Sequence, residues 1–107
     1  MTSWDSTVAL AYAAEELLFA AQALTTELMP QEQALRVAHS HLHGLLDHEH
    51  FLPYDLGRRI EALDASYADR ENSGTSDKAS ATALTGATFE MLGDVRNRLA
   101  QCERKRA

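Results

Sequence analysis

Apolar residues recur along most of the chain at the three- and four-residue intervals of amphipathic helices. In the first segment, for example, Leu10, Leu17 and Leu24 fall on one stripe of a helix. Such segments are separated by prolines and by a stretch rich in Asn, Ser and Gly, which favour turns. The pattern predicts helices at residues 5–28, 30–50, 53–70 and 77–103, with a loop at residues 71–76.

Proline and glycine set the limits of the two middle helices. Pro30 and Pro53 suit the first position of a helix, because their backbone angle is preset and they lack an N–H that would be unbonded there. Gly44 costs about 1 kcal/mol in a helix interior. Two alternatives are therefore open for the second helix, which either continues past Gly44 to residue 50 or ends at that glycine.

The inward stripes of the four helices predict the core. Its members are Leu10, Ala14, Leu17, Ala21, Leu24, Leu28, Ala34, Leu35, Ala38, Leu42, Leu45, Leu46, Leu56, Ile60, Leu63, Tyr67, Leu84, Thr88, Met91, Leu92, Val95, Leu99 and Cys102. The other face of the third helix is polar. On the third helix, Asp55 is placed to pair with Arg59 one turn later.

Composition supports one all-α domain. The chain has 107 residues, too few for two separate cores, and 18 of them are alanine, which favours helix over sheet. Short connections favour antiparallel neighbours. We therefore expect residues 1–107 to form one small antiparallel four-helix bundle, with dimerisation left open.

Charge and missing motifs narrow the function. A net charge of −6 makes nucleic acid an unlikely partner, although the last helix ends in a basic cluster. No glycine-rich phosphate loop or nucleophile elbow is present, so we expect no enzyme activity. The longest apolar run, residues 8–14, is far shorter than the roughly 20 residues of a membrane span, and no basic segment precedes it. These features predict a cytoplasmic protein without membrane contact.

The first and last helices carry apolar or small residues outside their core stripes. On the first helix these are Val8, Tyr12, Phe19 and Ala23, and on the last helix they are Gly86, Phe89 and Gly93. A helix with two apolar faces is typically buried between two layers. One interpretation is a contact surface for a second copy or another protein. The alternative is that these side chains pack within the chain.

All five histidines lie within residues 39–50. On an unbroken helix His39, His43, Asp47 and His50 share one side, and two imidazoles one turn apart can bind one divalent cation. This spacing predicts a site for Zn or another divalent transition metal. The alternatives are a polar flank of the core, or acid sensing, since full protonation near a pKa of about 6.5 would bring the net charge to about −1.

The sequence hypothesis is thus a non-enzymatic small helical interaction or regulatory protein of unknown pathway, acting as a homodimer or on another protein. The alternative is a metal-binding helical protein that uses the histidine segment. Arginine exceeds lysine eight to two, and Cys102 is the only cysteine, so no internal disulfide forms. The arginine and alanine content is typical of GC-rich bacterial genomes.

Overall fold

The computed structural model describes residues 6–74 and 77–106, and within these ranges the fold is all-helical, with no strand. Its elements are α1 (Ser6–Thr25), α2 (Gln31–Gly44), a 3-10 helix (Leu45–Phe51), α3 (Tyr54–Ser73) and α4 (Lys78–Arg106). The predicted all-α four-helix class is confirmed. The predicted start of the first helix at residue 5 lies outside the described residues.

Side-chain pairs between neighbouring helices show that these helices run antiparallel. From α1 to α2, Glu16 meets His41 and the earlier Tyr12 meets the later His48. From α3 to α4 the order is again reversed, in the pairs Arg70–Ser80, Tyr67–Thr88, Arg59–Asp94 and Asp55–Arg98. Because α1 also packs against α4, the four helices close into one bundle measuring 45 × 24 × 23 Å.

The core is built from the predicted stripes. The confirmed buried residues are Leu10, Leu17, Ala21, Ala34, Leu35, Ala38, Leu42, Leu45, Leu56, Ile60, Leu63, Tyr67, Leu84, Thr88, Met91, Leu92 and Val95. Ala14, Leu24, Leu46, Leu99 and Cys102 are partly buried against them. Leu28 is 94% exposed, so its prediction is wrong. The reason is that α1 ends at Thr25, whose hydroxyl bonds back to the Ala21 carbonyl at 3.0 Å.

Helix α1 is buried on two sides because it packs against both α2 and α4. Alanines supply much of this contact, and Ala9, Ala13 and Ala20 are almost fully buried beside the predicted stripe. Ala23, assigned from the sequence to an interaction surface, is only 7% exposed and belongs to the core. Part of the second apolar face is therefore used inside the chain.

The second α-helix ends at Gly44, which corrects the predicted single helix over residues 30–50. Leu45 to Phe51 continue as a 3-10 helix, in which the N–H of Leu45 bonds to the Leu42 carbonyl three residues back. The tighter 3-10 winding rotates later side chains away from their α-helical directions. Asp47 and His50 consequently leave the face of α2 that carries His39 and His43.

The connection between α3 and α4 is shorter than the predicted loop over residues 71–76. Helix α3 extends to Ser73, and Gly74 follows with φ 68°, a left-handed conformation that glycine adopts without a steric penalty. Residues 75 and 76 lie outside the described residues. Asp77 then caps α4, since its carboxylate accepts a 2.9 Å hydrogen bond from the Ser80 N–H.

One helix is long and apolar enough to cross a membrane by length and composition alone. It covers Thr7–Thr25, with a mean hydropathy of 1.2, and 39% of its window is buried inside the fold. The core helix of a soluble bundle meets the same criterion. The expectation of no membrane contact remains a prediction.

Candidate metal centre

The histidine pair of α2 faces a carboxylate of α3. His39 and His43 lie one turn apart on α2, and Asp64 reaches them from α3. One carboxylate oxygen of Asp64 is 3.0 Å from His39 Nε2 and 3.2 Å from His43 Nδ1. The three side chains can bring one ligand atom each within 4.8 Å of one another. A sequence-local pair thus becomes a three-residue cluster spanning two helices.

His39 is held in place from two directions. Its Nδ1 lies 2.8 Å from Oε1 of Glu71, and its ring stacks on Tyr67 with centroids 5.6 Å apart and an interplanar angle of 12°. The Tyr67 hydroxyl is fixed in turn by a 2.7 Å hydrogen bond to Thr88. Burial raises the pKa of Tyr67, so this residue remains a neutral support at physiological pH.

The buried Nε2 of His39 has no hydrogen-bond partner in the described part of the chain. An ionised Glu71 can only accept, so Nδ1 of His39 carries the proton and donates it. In the neutral tautomer Nε2 presents a lone pair 3.0 Å from an Asp64 oxygen. Two acceptors this close are stabilised by a cation between them, which is either a proton or a metal ion.

The distances suit a transition metal. With metal–ligand bonds of about 2.0–2.1 Å, the ligand atoms of a tetrahedral site lie about 3.3 Å apart, close to the values around Asp64. Two imidazoles and one carboxylate form a donor set used by Zn²⁺ and by Fe²⁺. A carboxylate that binds the second nitrogen of a ligand histidine, as Glu71 does, is also typical of metal sites.

The structure separates the four ligands predicted from the sequence. His39 and His43 belong to the cluster, whereas Asp47 is an exposed residue of the 3-10 helix and His50 packs its ring against Phe51 at 4.0 Å. The sequence interpretation missed Asp64, because it placed all the ligands within residues 39–50. The available signal was the spacing of Asp64, Tyr67 and Glu71, which places all three on one face of α3.

His41 and His48 have structural surroundings of a different kind. His41 Nδ1 lies 2.8 Å from Glu16 of α1, and its ring leans on Phe19 at 5.5 Å. His48 meets Tyr12 edge to face at 5.1 Å. These contacts connect α1 to α2 and to the 3-10 helix, so two members of the predicted interaction surface have ring partners within the chain.

The other predicted interaction residues lie at the surface. Val8, Phe19 and Phe89 are each about two-fifths exposed. Gly86 and Gly93 face open space, since a Cβ added at either position would meet no atom within 4 Å. Phe89 and Gly93 line a shallow cavity of about 260 Å³ between α4 and α1, with Leu18 opposite. Within the described residues, no neighbouring helix packs closely against these two glycines.

Two further polar contacts of α3 contain arginines rather than histidines, one shared with α2 and α4 and the other with α4 alone. The Arg70 guanidinium is almost fully buried and binds both oxygens of Glu32, at 2.7 and 2.9 Å, and Ser80 at 2.7 Å. Its hydrogen bonds lower the pKa of Glu32. Arg98 likewise binds Asp55 and lowers the pKa of that carboxyl. Every one of these groups has a partner of opposite charge.

Comparison of the chain with protein-family models, with curated proteins and with solved structures finds no match in any of the three.

Proposed function

We propose that this protein binds a divalent transition metal through His39, His43 and Asp64, with Glu71 as the partner of the His39 ring. The observation that carries the proposal is the buried, unbonded Nε2 of His39, 3.0 Å from a carboxylate oxygen. A metal ion placed between these atoms forms a coordination bond with each of them. It also displaces the proton by which His43 binds Asp64.

Zn²⁺ is the first candidate among the divalent metals. It accepts mixed imidazole and carboxylate ligands, and a site with three protein ligands leaves one position for water or another molecule. Ni²⁺, Cu²⁺ and Fe²⁺ accept the same donors, and Cu²⁺ binds most such sites more tightly than the others. His43 is mostly exposed, with 69% of its side chain accessible, so the ion has a direct path from solvent.

Titration calorimetry with ZnCl₂ tests the ligand set. His39→Ala and Asp64→Asn each remove one ligand, and we expect each to weaken zinc affinity at least a hundredfold. The matched controls are His50→Ala and Asp47→Asn, which change the same residue types at positions outside the cluster. These controls are expected to change the affinity less than threefold.

The result decides between two assignments of the site. Loss of affinity in His50→Ala or Asp47→Asn, with Asp64→Asn unaffected, would favour the single-segment site predicted from the sequence. Absence of zinc, nickel and copper binding to the wild-type protein would overturn the proposal altogether.

A second candidate function is a protein contact, in which this cytoplasmic regulatory module forms a homodimer or binds another protein without catalysing a reaction. The half-exposed Phe89 beside the open Gly93 supports it. We expect Phe89→Ser to shift sedimentation equilibrium towards monomer. Leu28→Ser is the control, because Leu28 is more exposed yet lies outside this cavity. A wild-type monomer at millimolar concentration would count against the homodimer.

A further inference from the structure

The metal cluster opens onto a cavity that contains an arginine. This cavity has a volume of about 320 Å³ and is lined by Arg36, His39, Ser40, His43 and Glu71. Arg36 and Ser40 stand on the same face of α2 as the two histidines, at spacings of three and four residues. Both histidines of the cluster line this cavity, so a molecule in the cavity lies next to the metal ligands.

Arg36 is available to such a molecule. It is exposed and forms no hydrogen bond or ion pair in the described part of the structure. One competing carboxylate is Glu32, whose pKa is lowered mainly by hydrogen bonds from Arg70, with a smaller contribution from the charge of Arg36. Both oxygens of Glu32 are already bound by Arg70. Arg36 therefore has an unused planar set of donors.

The other acid in the cavity, Glu71, also has a partner, since it accepts a 2.8 Å hydrogen bond from His39 Nδ1. With neutral imidazoles, a divalent metal is balanced by the carboxylates of Asp64 and Glu71. The charge of Arg36 has no carboxylate to balance it, so the cavity with bound metal carries a net positive charge. Such a cavity favours an anion.

We infer that the metal-loaded site binds a small phosphate-type oxyanion, either free phosphate or a phosphate monoester. One oxygen takes the open coordination position of the metal, and two others accept hydrogen bonds from the Arg36 guanidinium, a planar donor well matched to this geometry. The Ser40 hydroxyl, which has no other partner in the described residues, donates to the same group. This inference rests on the metal-binding function proposed above.

Cobalt provides a spectroscopic test, because Co²⁺ accepts zinc ligands and its visible d–d bands report the coordination shell. The Co²⁺-loaded protein is titrated with methylphosphonate at constant ionic strength. We expect saturable changes in the d–d bands, and about tenfold weaker binding of the oxyanion in Arg36→Gln. Arg96→Gln is the control, since Arg96 is an exposed arginine on α4 next to a different cavity.

The outcomes separate the two proposals. If cobalt bands form and are lost in Asp64→Asn, but methylphosphonate leaves them unchanged or binds Arg36→Gln as tightly as wild type, the oxyanion inference is overturned and the metal site stands. Equal band changes with chloride would also overturn it. If no cobalt bands form, both proposals fail. Circular dichroism of each variant establishes that the helices are retained.

Discussion

Helix α3 has polar contacts on two sides, and these contacts differ in the kind of cation they use. Towards α4, Asp55 pairs with Arg98 and Arg59 pairs with Asp94. Arg70 reaches both neighbours, since it binds Glu32 of α2 and Ser80 of α4. Towards α2, the carboxylates of Asp64 and Glu71 meet histidines instead. Arginine is charged at all physiological pH values, whereas a neutral imidazole offers one donor and one acceptor.

The difference separates a structural contact from a binding site. The α3–α4 contact is complete without any added group. The α2–α3 contact leaves the buried Nε2 of His39 unbonded beside a carboxylate, and the missing positive charge can be supplied by a metal ion. Tyr67 connects the two regions, because its ring stacks on His39 while its hydroxyl bonds to Thr88.

Zinc should change the free energy of unfolding more than any substitution does, because it binds at the α2–α3 contact. At a free zinc concentration one hundred times the dissociation constant, the free energy of unfolding should rise by about 2.7 kcal/mol. Urea unfolding followed by circular dichroism, with and without zinc, measures the rise. A chelator should reverse it. A similar rise in Asp64→Asn would show that zinc acts elsewhere.

Arg70→Met tests the contact that Arg70 makes with Glu32 of α2 and Ser80 of α4. The substitution keeps an apolar stem but leaves Glu32 and Ser80 without their buried partner, and we expect a loss of about 2 kcal/mol in the free energy of unfolding, moderated because Glu32 is half-exposed. Arg58→Met is the control, since the contacts of Arg58, with Glu61 at 3.8 Å and with the exposed ring of Tyr54, both lie at the surface. A loss of similar size in both variants would contradict the assignment.

Asp64→Asn should raise the free energy of unfolding when metal is absent, in contrast to Arg70→Met, which should lower it. The amide can direct an N–H towards the unbonded Nε2 of His39 and remove the acceptor–acceptor repulsion. We expect the metal-free variant to be more stable by about 1 kcal/mol, although it no longer binds zinc. Chemical unfolding in the presence of a chelator measures this difference. Marked destabilisation would show that Asp64 is needed mainly for structure.

Acid should weaken the two arginine–carboxylate contacts of α3, Arg98–Asp55 and Arg70–Glu32, by a smaller amount. The hydrogen bonds from Arg98 and Arg70 lower the pKa values of Asp55 and Glu32 in the folded protein. A carboxyl whose pKa is lower in the folded than in the unfolded state stabilises the fold at any pH above its unfolded pKa. This contribution is lost as the pH falls through the pKa of the folded state, which lies below about 4 for these groups. Thermal unfolding of wild type and Asp55→Asn between pH 2 and 6 should show a shallower decline in the variant.

Local pattern predicted the all-helical class and most of the core, because helix periodicity and burial are properties of short segments. The inward stripe Leu56, Ile60, Leu63 and Tyr67 is buried as predicted. The local pattern predicted the wrong ion pair where a residue distant in sequence is an alternative partner. Asp55 was expected to pair with Arg59 on its own helix, yet Arg98 of α4 binds it instead, and Arg59 turns to Asp94.

The candidate site divides in the same way. The sequence by itself determined that two histidines lie one turn apart on α2, because this is a matter of local spacing, whereas it left open whether that helix ends at Gly44. Only the tertiary structure decided that Asp64 completes the cluster, that Glu71 and Tyr67 hold His39, and that Asp47 and His50 lie outside it. Helix packing brings residues more than twenty positions apart within hydrogen-bonding distance, and the chain's local periodicity carries no record of which faces will meet.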